Sequence, residues 1–146
     1  MPEIRTEITV DATPARIFEI LADSARWPEW NPILRVVRGR LGPDARFIGR
    51  LAGGALPLVF DAAVTRFEPA RSLAWKGPRS ALVQRLASGE HYFELEARGA
   101  QTLVVHGERF EGLLPNLGPL WQRVEGNLHR AYRAFNKALK ARAESR

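Results

Sequence analysis

The last quarter of the chain limits the choice of fold most. Across residues 119–142, Trp121, Val124, Leu128, Tyr132, Phe135 and Leu139 recur on one stripe at roughly 100° per residue, with Leu117 just ahead of it. Leu120, Ala131 and Ala138 widen the stripe, while Arg123, Arg130, Arg133, Lys137 and Lys140 point the other way. No Gly or Pro follows Gly126, so the spacing predicts an amphipathic helix of about six turns. Pro119 suits its first position, and Asn116 or Gly118 can cap ahead of it. A helix with this aromatic content is stable in water only if something apolar covers the stripe. The preceding chain must build that cover.

It does so with strands. Ile4, Thr6, Ile8 and Val10 alternate with Glu3, Arg5, Glu7 and Thr9, the pattern of a half-buried strand. Thr13-Pro14 then reads as the cap and first position of a short helix whose apolar side is Ile17, Phe18, Ile20 and Leu21. Asp23 or Ser24 can restart a turn or two, which Pro28 is expected to stop. Arg26-Trp27-Pro28-Glu29-Trp30-Asn31-Pro32 reads as a rigid aromatic corner and not as helix. Trp30 and Asn31 are assigned to packing in that corner.

Beyond it the pattern is strand and turn. Strands are expected over 33–40, 46–51, 58–67, 72–76, 91–97 and 102–110, with turns at Gly42-Pro43, Gly53-Gly54, Pro69-Ala70, Gly77-Pro78 and Gly99-Ala100. Residues 81–87 fit either strand or loop. The leucines of the segment Gly112-Leu113-Leu114-Pro115-Asn116-Leu117-Gly118 suit either a flap at a cavity mouth or packing under the long helix. The expected fold class is α+β: one curved antiparallel sheet of about seven strands wrapped around the C-terminal helix, with two short helices after the first strand. A strongly bent sheet cannot follow a straight helix along its whole length, so a cavity is expected between them.

Composition narrows the function classes. At 146 residues and 45% hydrophobic, the chain is expected to form a single domain over 1–146 with one sizeable core. The start, MPEIRTEITV, is charged and lacks the apolar run of a signal peptide, and no stretch approaches the roughly 18 apolar residues of a membrane span. Zero cysteines exclude disulfides and thiolate chemistry and remove the commonest zinc ligand. A cytoplasmic protein is expected, as monomer or homodimer. The net charge is +6, and seven of the 22 basic residues but two of the 16 acidic ones lie from Pro119 onward. Such a helix face is either solvated or able to dock onto RNA, a ribosome or an anionic membrane.

Four stretches stand out: Trp27-Pro28-Glu29-Trp30-Asn31-Pro32, Phe67-Glu68-Pro69-Ala70-Arg71-Ser72-Leu73-Ala74-Trp75, Gly89-Glu90-His91-Tyr92-Phe93 and His106-Gly107-Glu108-Arg109-Phe110-Glu111-Gly112. With the element order, they resemble the helix-grip superfamily that contains START lipid-transfer domains and the polyketide cyclase/dehydrase-like (SRPBCC) proteins. The resemblance spans essentially the whole chain. It implies a deep hydrophobic pocket between sheet and helix, and it carries over no catalytic residue.

The hairpin around Gly99-Ala100 locates polar groups in that pocket. A two-residue or a four-residue loop gives the same register, pairing His91 with Glu108, Phe93 with His106 and Leu95 with Val104. Alternation then puts His91, Phe93, Leu95, Val104, His106, Glu108 and Phe110 on one face, and Glu90, Glu94, Glu96 and Arg109 on the other. The first face should be concave. Candidate ligand-binding residues are therefore Trp75, His91, Phe93, His106, Glu108, Phe110, Trp121 and Leu128. The His91–Glu108 pair admits three readings: a polar pair that fixes the hairpin, an anchor for a ligand hydroxyl or carbonyl, or the acid/base of an enolising enzyme. His91, His106 and Glu108 could also form a two-His, one-carboxylate metal set, although no local ligand motif supports it, and no cofactor is expected. Glu125 and His129, one turn apart, read as a helix-surface pair. The function expected first is binding of a small hydrophobic or amphipathic molecule such as a lipid, polyketide or aromatic. A cyclase, aromatase or dehydratase using His91 and Glu108 is the enzymatic alternative.

Overall fold

Period-two alternation and turn residues place the strands close to where they form. The computed structural model describes residues 2–51 and 58–145. β1 (Glu3–Val10), β2 (Leu34–Gly39), β3 (Arg46–Leu51), β4 (Val59–Glu68), β5 (Ser72–Gly77), β6 (Ser88–Arg98) and β7 (Gln101–Glu111) make one seven-stranded antiparallel sheet, in the order β1-β7-β6-β5-β4-β3-β2. The expected Gly53-Gly54 turn lies outside the described residues. Because β1 pairs with β7 and not with β2, the chain after β1 must cross to the far edge. Helix α1 (Pro14–Ala22) and a 3₁₀ turn (Ser24–Glu29) carry it there.

Thr13 caps α1 by accepting from the Arg16 amide at 3.2 Å, and Ile17, Phe18 and Leu21 are its buried side. The 3₁₀ turn differs from expectation, since it runs through Pro28 instead of stopping there. Proline's fixed φ suits a 3₁₀ turn, and in so short an element one missing donor breaks little. Trp27 is buried there, its ring N–H donating to the Leu21 carbonyl at 3.1 Å. The Asn31 side-chain oxygen accepts from the amides of Ile33 and Leu34, both at 3.0 Å, and so opens β2.

Residues 81–87 are neither strand nor loop in the main: Ala81–Leu86 form a short helix, α2. Ala, Leu, Gln and Arg favour helix, and Gln84 fastens it by donating to the Pro78 carbonyl at 2.9 Å. None of its residues is buried. Among the described residues, no helix is long and apolar enough to cross a membrane.

The long helix, α3 (Pro119–Glu144), buries Trp121, Tyr132, Phe135, Asn136, Leu139 and Ala143. Leu117 and Leu120, expected on the covered stripe, are exposed, because cover begins only where Trp121 meets Phe110 edge-on at 5.0 Å. Leu114 packs into that same cluster, whereas Leu113 is exposed and its amide bonds to Arg85 of α2. Phe135 and Leu139 join the main core formed by α1, Trp27, Leu73, Trp75, Phe93 and Val104. On the convex face, Glu90, Glu94 and Arg109 meet water as expected. They also roof an apolar layer of Ala74, Tyr92, Leu103 and Val105, with the Arg109 guanidinium 4.1 Å above the Tyr92 ring.

Candidate functional site

The two-residue turn at Gly99-Ala100, with Gly99 at positive φ, closes β6 onto β7 in a register that sets His91 opposite Glu108 and Phe93 opposite His106. Both histidines point into the space between sheet and α3, and both are buried. His91 Nδ1 lies 3.2 Å from Glu108 Oε1, and its Nε2 lies 2.7 Å from His106 Nε2. Tyr132, from α3, donates its hydroxyl to Glu108 Oε1. Asn136, one turn further on, reaches His106 Nδ1 at 2.8 Å.

The hydrogen-bond chain fixes where its protons sit. Thr6 Oγ1 donates to the His106 carbonyl at 2.7 Å, so it must accept from the Asn136 amide nitrogen at 2.8 Å. The Asn136 oxygen is then the acceptor for His106 Nδ1–H. Burial, and next the facing His91 ring, hold the His106 pKa well below its ordinary value, so the ring is neutral and its Nε2 carries a lone pair. His91 must therefore donate from Nε2. Its Nδ1 faces Glu108 Oε1 and lies 3.5 Å from the Tyr132 hydroxyl. Burial, followed by the Glu108 charge, pushes the Tyr132 hydroxyl well above its usual range, which keeps it a donor.

Gly89 makes room for the carboxylate. A Cβ at that position would stand 2.2 Å from Glu108 Oε2, so any larger residue displaces the acid. Trp75 stacks on His91 with ring centroids 4.7 Å apart and planes 4° from parallel, fixing the imidazole from its other side.

Beside this group the sheet and α3 separate around a cavity of about 680 Å³. Its apolar lining includes Leu34, Phe60, Trp75, Phe110, Val124 and Leu128, and its polar lining His91, Glu108, Tyr132, Ser88 and Asn127. Of the residues singled out from sequence, Trp75, His91, Glu108, Phe110 and Leu128 border the hollow. Phe93 and His106 stand behind them, stacked on each other at 4.3 Å, and Trp121 packs on Phe110. Thr6, Tyr132 and Asn136 were not singled out. Their signal was faint: a threonine on the inward side of β1, and a tyrosine and asparagine four residues apart along the apolar stripe.

Two other groupings raised by the sequence are not assembled among the described residues. The imidazole nitrogens of His91 and His106 face each other at hydrogen-bond distance, which leaves no room for an ion between them. No group of three or more metal-ligating side chains is assembled among the described residues. Nor do Glu125 and His129 form an ion pair there, because His129 Nδ1 is turned out of reach of solvent and has no partner. On the basic face, Lys140 is tied to Glu144 at 2.6 Å and to the Thr9 carbonyl at 3.1 Å, and Arg142 to Glu29 at 2.6 Å.

The sequence matches, over residues 1–144, the family described as polyketide cyclase / dehydrase and lipid transport. No curated protein matches it in sequence. Solved structures with the same fold include the aromatase/cyclase Zhui of Streptomyces sp. R1128 at 18% identity, covering 98% of this chain and 93% of that one, with a TM-score of 0.78. A Thermus thermophilus protein is 20% identical over 97% of both chains, with a TM-score of 0.75. A START superfamily protein of Mycobacterium smegmatis is 22% identical over 97% of both, with a TM-score of 0.72. At these identities the likeness is one of fold, the helix-grip arrangement of curved sheet and terminal helix.

Proposed function

The chain belongs to the polyketide cyclase/dehydrase and lipid transport family, and from that premise we propose that it is a single cytoplasmic domain that binds a small hydrophobic or amphipathic molecule between the sheet and α3. The observation that carries the reading is the cavity of about 680 Å³, lined mostly by apolar side chains with a few polar ones among them. That size and lining suit a drug-sized organic molecule held by its carbon skeleton and oriented by a few polar groups. Burying about 300 Å² of ligand carbon contributes roughly 7 kcal/mol gross. After the costs of association, this is consistent with roughly micromolar binding.

Organic extraction and mass spectrometry of freshly purified protein test the proposal, together with titration of a fluorescent apolar probe. A co-purifying small molecule, or saturable uptake displaced by one, is the expected result. Protein that carries nothing and takes up no probe contradicts it.

The contact of His91 Nδ1 with Glu108 Oε1 at the cavity wall favours a second reading, acid/base chemistry on an enolisable carbonyl compound of the polyketide class. Under that reading Glu108→Gln abolishes turnover and spares binding. Unchanged turnover removes the pair from catalysis.

A further inference from the structure

We propose that the cavity selects a ligand bearing an uncharged hydroxyl group, an alcohol or phenol, and discriminates against the matching ether and the matching carboxylate. The proposal rests on the cavity being the ligand site and adds the chemistry that orients what enters it.

The two oxygens of Glu108 are not equivalent. Oε1 is occupied, receiving the Tyr132 hydroxyl and facing His91 Nδ1. Oε2 lies over Gly89, in the space a Cβ would fill, and both Glu108 and Gly89 belong to the cavity wall. Among the described residues no donor reaches Oε2. The side chain is one-fifth exposed, while its partner His91 is almost fully buried. A carboxylate oxygen at the wall of a largely apolar cavity, with its sister oxygen already paired, calls for an O–H or N–H donor from the cavity side.

The rest of the cluster decides the charge of that donor. The chain from Thr6 through Asn136 and His106 engages the second nitrogen of His91, which therefore has no donor to offer a ligand anion. The other polar wall residues, Ser88, Asn127 and Tyr132, are neutral, and no Lys or Arg lines the cavity among the described residues. The six residues between Leu51 and Leu58, Ala-Gly-Gly-Ala-Leu-Pro, contain no charged side chain to supply one. A ligand carboxylate would meet the Glu108 oxygen with no proton to offer and no cation beside it. An ether of the same shape would fill the hollow and leave Oε2 unpaired.

Fluorescence titrations at neutral pH with 1-hydroxypyrene, 1-methoxypyrene and pyrene-1-carboxylate separate the cases. The phenol is expected to bind roughly tenfold more tightly than the ether and about a hundredfold more tightly than the carboxylate. In Glu108→Gln, checked for folding by circular dichroism, the phenol-to-carboxylate ratio should shrink at least severalfold. Equal affinity for all three probes overturns the selectivity and leaves the cavity reading intact. A carboxylate that binds as well as the phenol overturns it outright. Failure of every probe to bind overturns both readings.

Discussion

The two halves of α3 carry the same apolar periodicity and meet different surroundings. From Tyr132 to Ala143 the helix lies on a filled core: Phe135 contacts Phe93 at 5.4 Å, His106 at 4.8 Å and Trp30 at 5.2 Å between ring centroids. From Val124 to Ala131 it spans the hollow, where Val124, Leu128 and Ala131 are only half-buried. A stripe at helical spacing shows that a face is covered. What lies under the cover depends on how far the sheet bends away, which no local pattern records. The C-terminal half acts as the clamp, and the N-terminal half as the roof. The polar chain stands at the seam between them.

Truncation should separate the halves most sharply. Phe135→Ala, in the clamp, is expected to lower stability by about 3–5 kcal/mol in urea denaturation, because its surroundings cannot collapse into the space. Leu128→Ala, in the roof, should cost roughly 1 kcal/mol or less and instead alter probe affinity, because the hollow beneath it already lacks packing partners. Similar losses at the two sites would erase the distinction.

At the seam, Asn136→Ala removes the acceptor for His106 Nδ1–H and the donor to Thr6. A loss of about 1–3 kcal/mol is expected. Long-range ¹⁵N–¹H correlation spectra should show His106 as the Nδ1–H tautomer and His91 protonated at Nε2 in the parent, with that preference lost in the variant. A mixture of His106 tautomers in the parent protein would contradict the assigned chain.

The pH dependence follows from the same residue. His106 has a folded pKa well below its unfolded value near 6.5, so the unfolded chain takes up the proton first. Its contribution is fully present above about pH 6.5 and is lost as pH falls, by up to about 1.4 kcal/mol per pH unit, until the folded ring itself charges. His106→Gln should lack that slope. Stability that is flat between neutrality and about pH 5 in the parent would show that His106 charges freely in the folded state.

Gly89→Ala acts on the sheet side of the hollow, where the added Cβ meets Glu108. By displacing the Glu108 carboxylate it should weaken binding of a hydroxyl-bearing probe about tenfold, with a smaller change in the urea midpoint.

Much of this arrangement was legible in the residues. Alternation and the Gly99-Ala100 turn placed His91 against Glu108 and turned both inward, since a period of two allows only two faces. The aromatic stripe located α3. The polar chain was less legible because it joins residues 130 positions apart, Thr6 and Asn136, whose meeting depends on β1 pairing with β7 under the helix. The helix at Ala81–Leu86 was missed because six residues with no buried side chain leave no periodicity to read. Helical spacing puts Tyr132 on the apolar stripe, where its ring is indeed buried, but spacing does not show that its hydroxyl reaches Glu108.

A crystal structure of the protein with 1-hydroxypyrene bound tests the central claim most directly. The account predicts density for the ring system between Leu128 and Trp75, with its oxygen within hydrogen-bond distance of Glu108 Oε2. Density that shows the N-terminal half of α3 packed down onto the sheet, with Leu128 filling the space and the probe elsewhere, would contradict it.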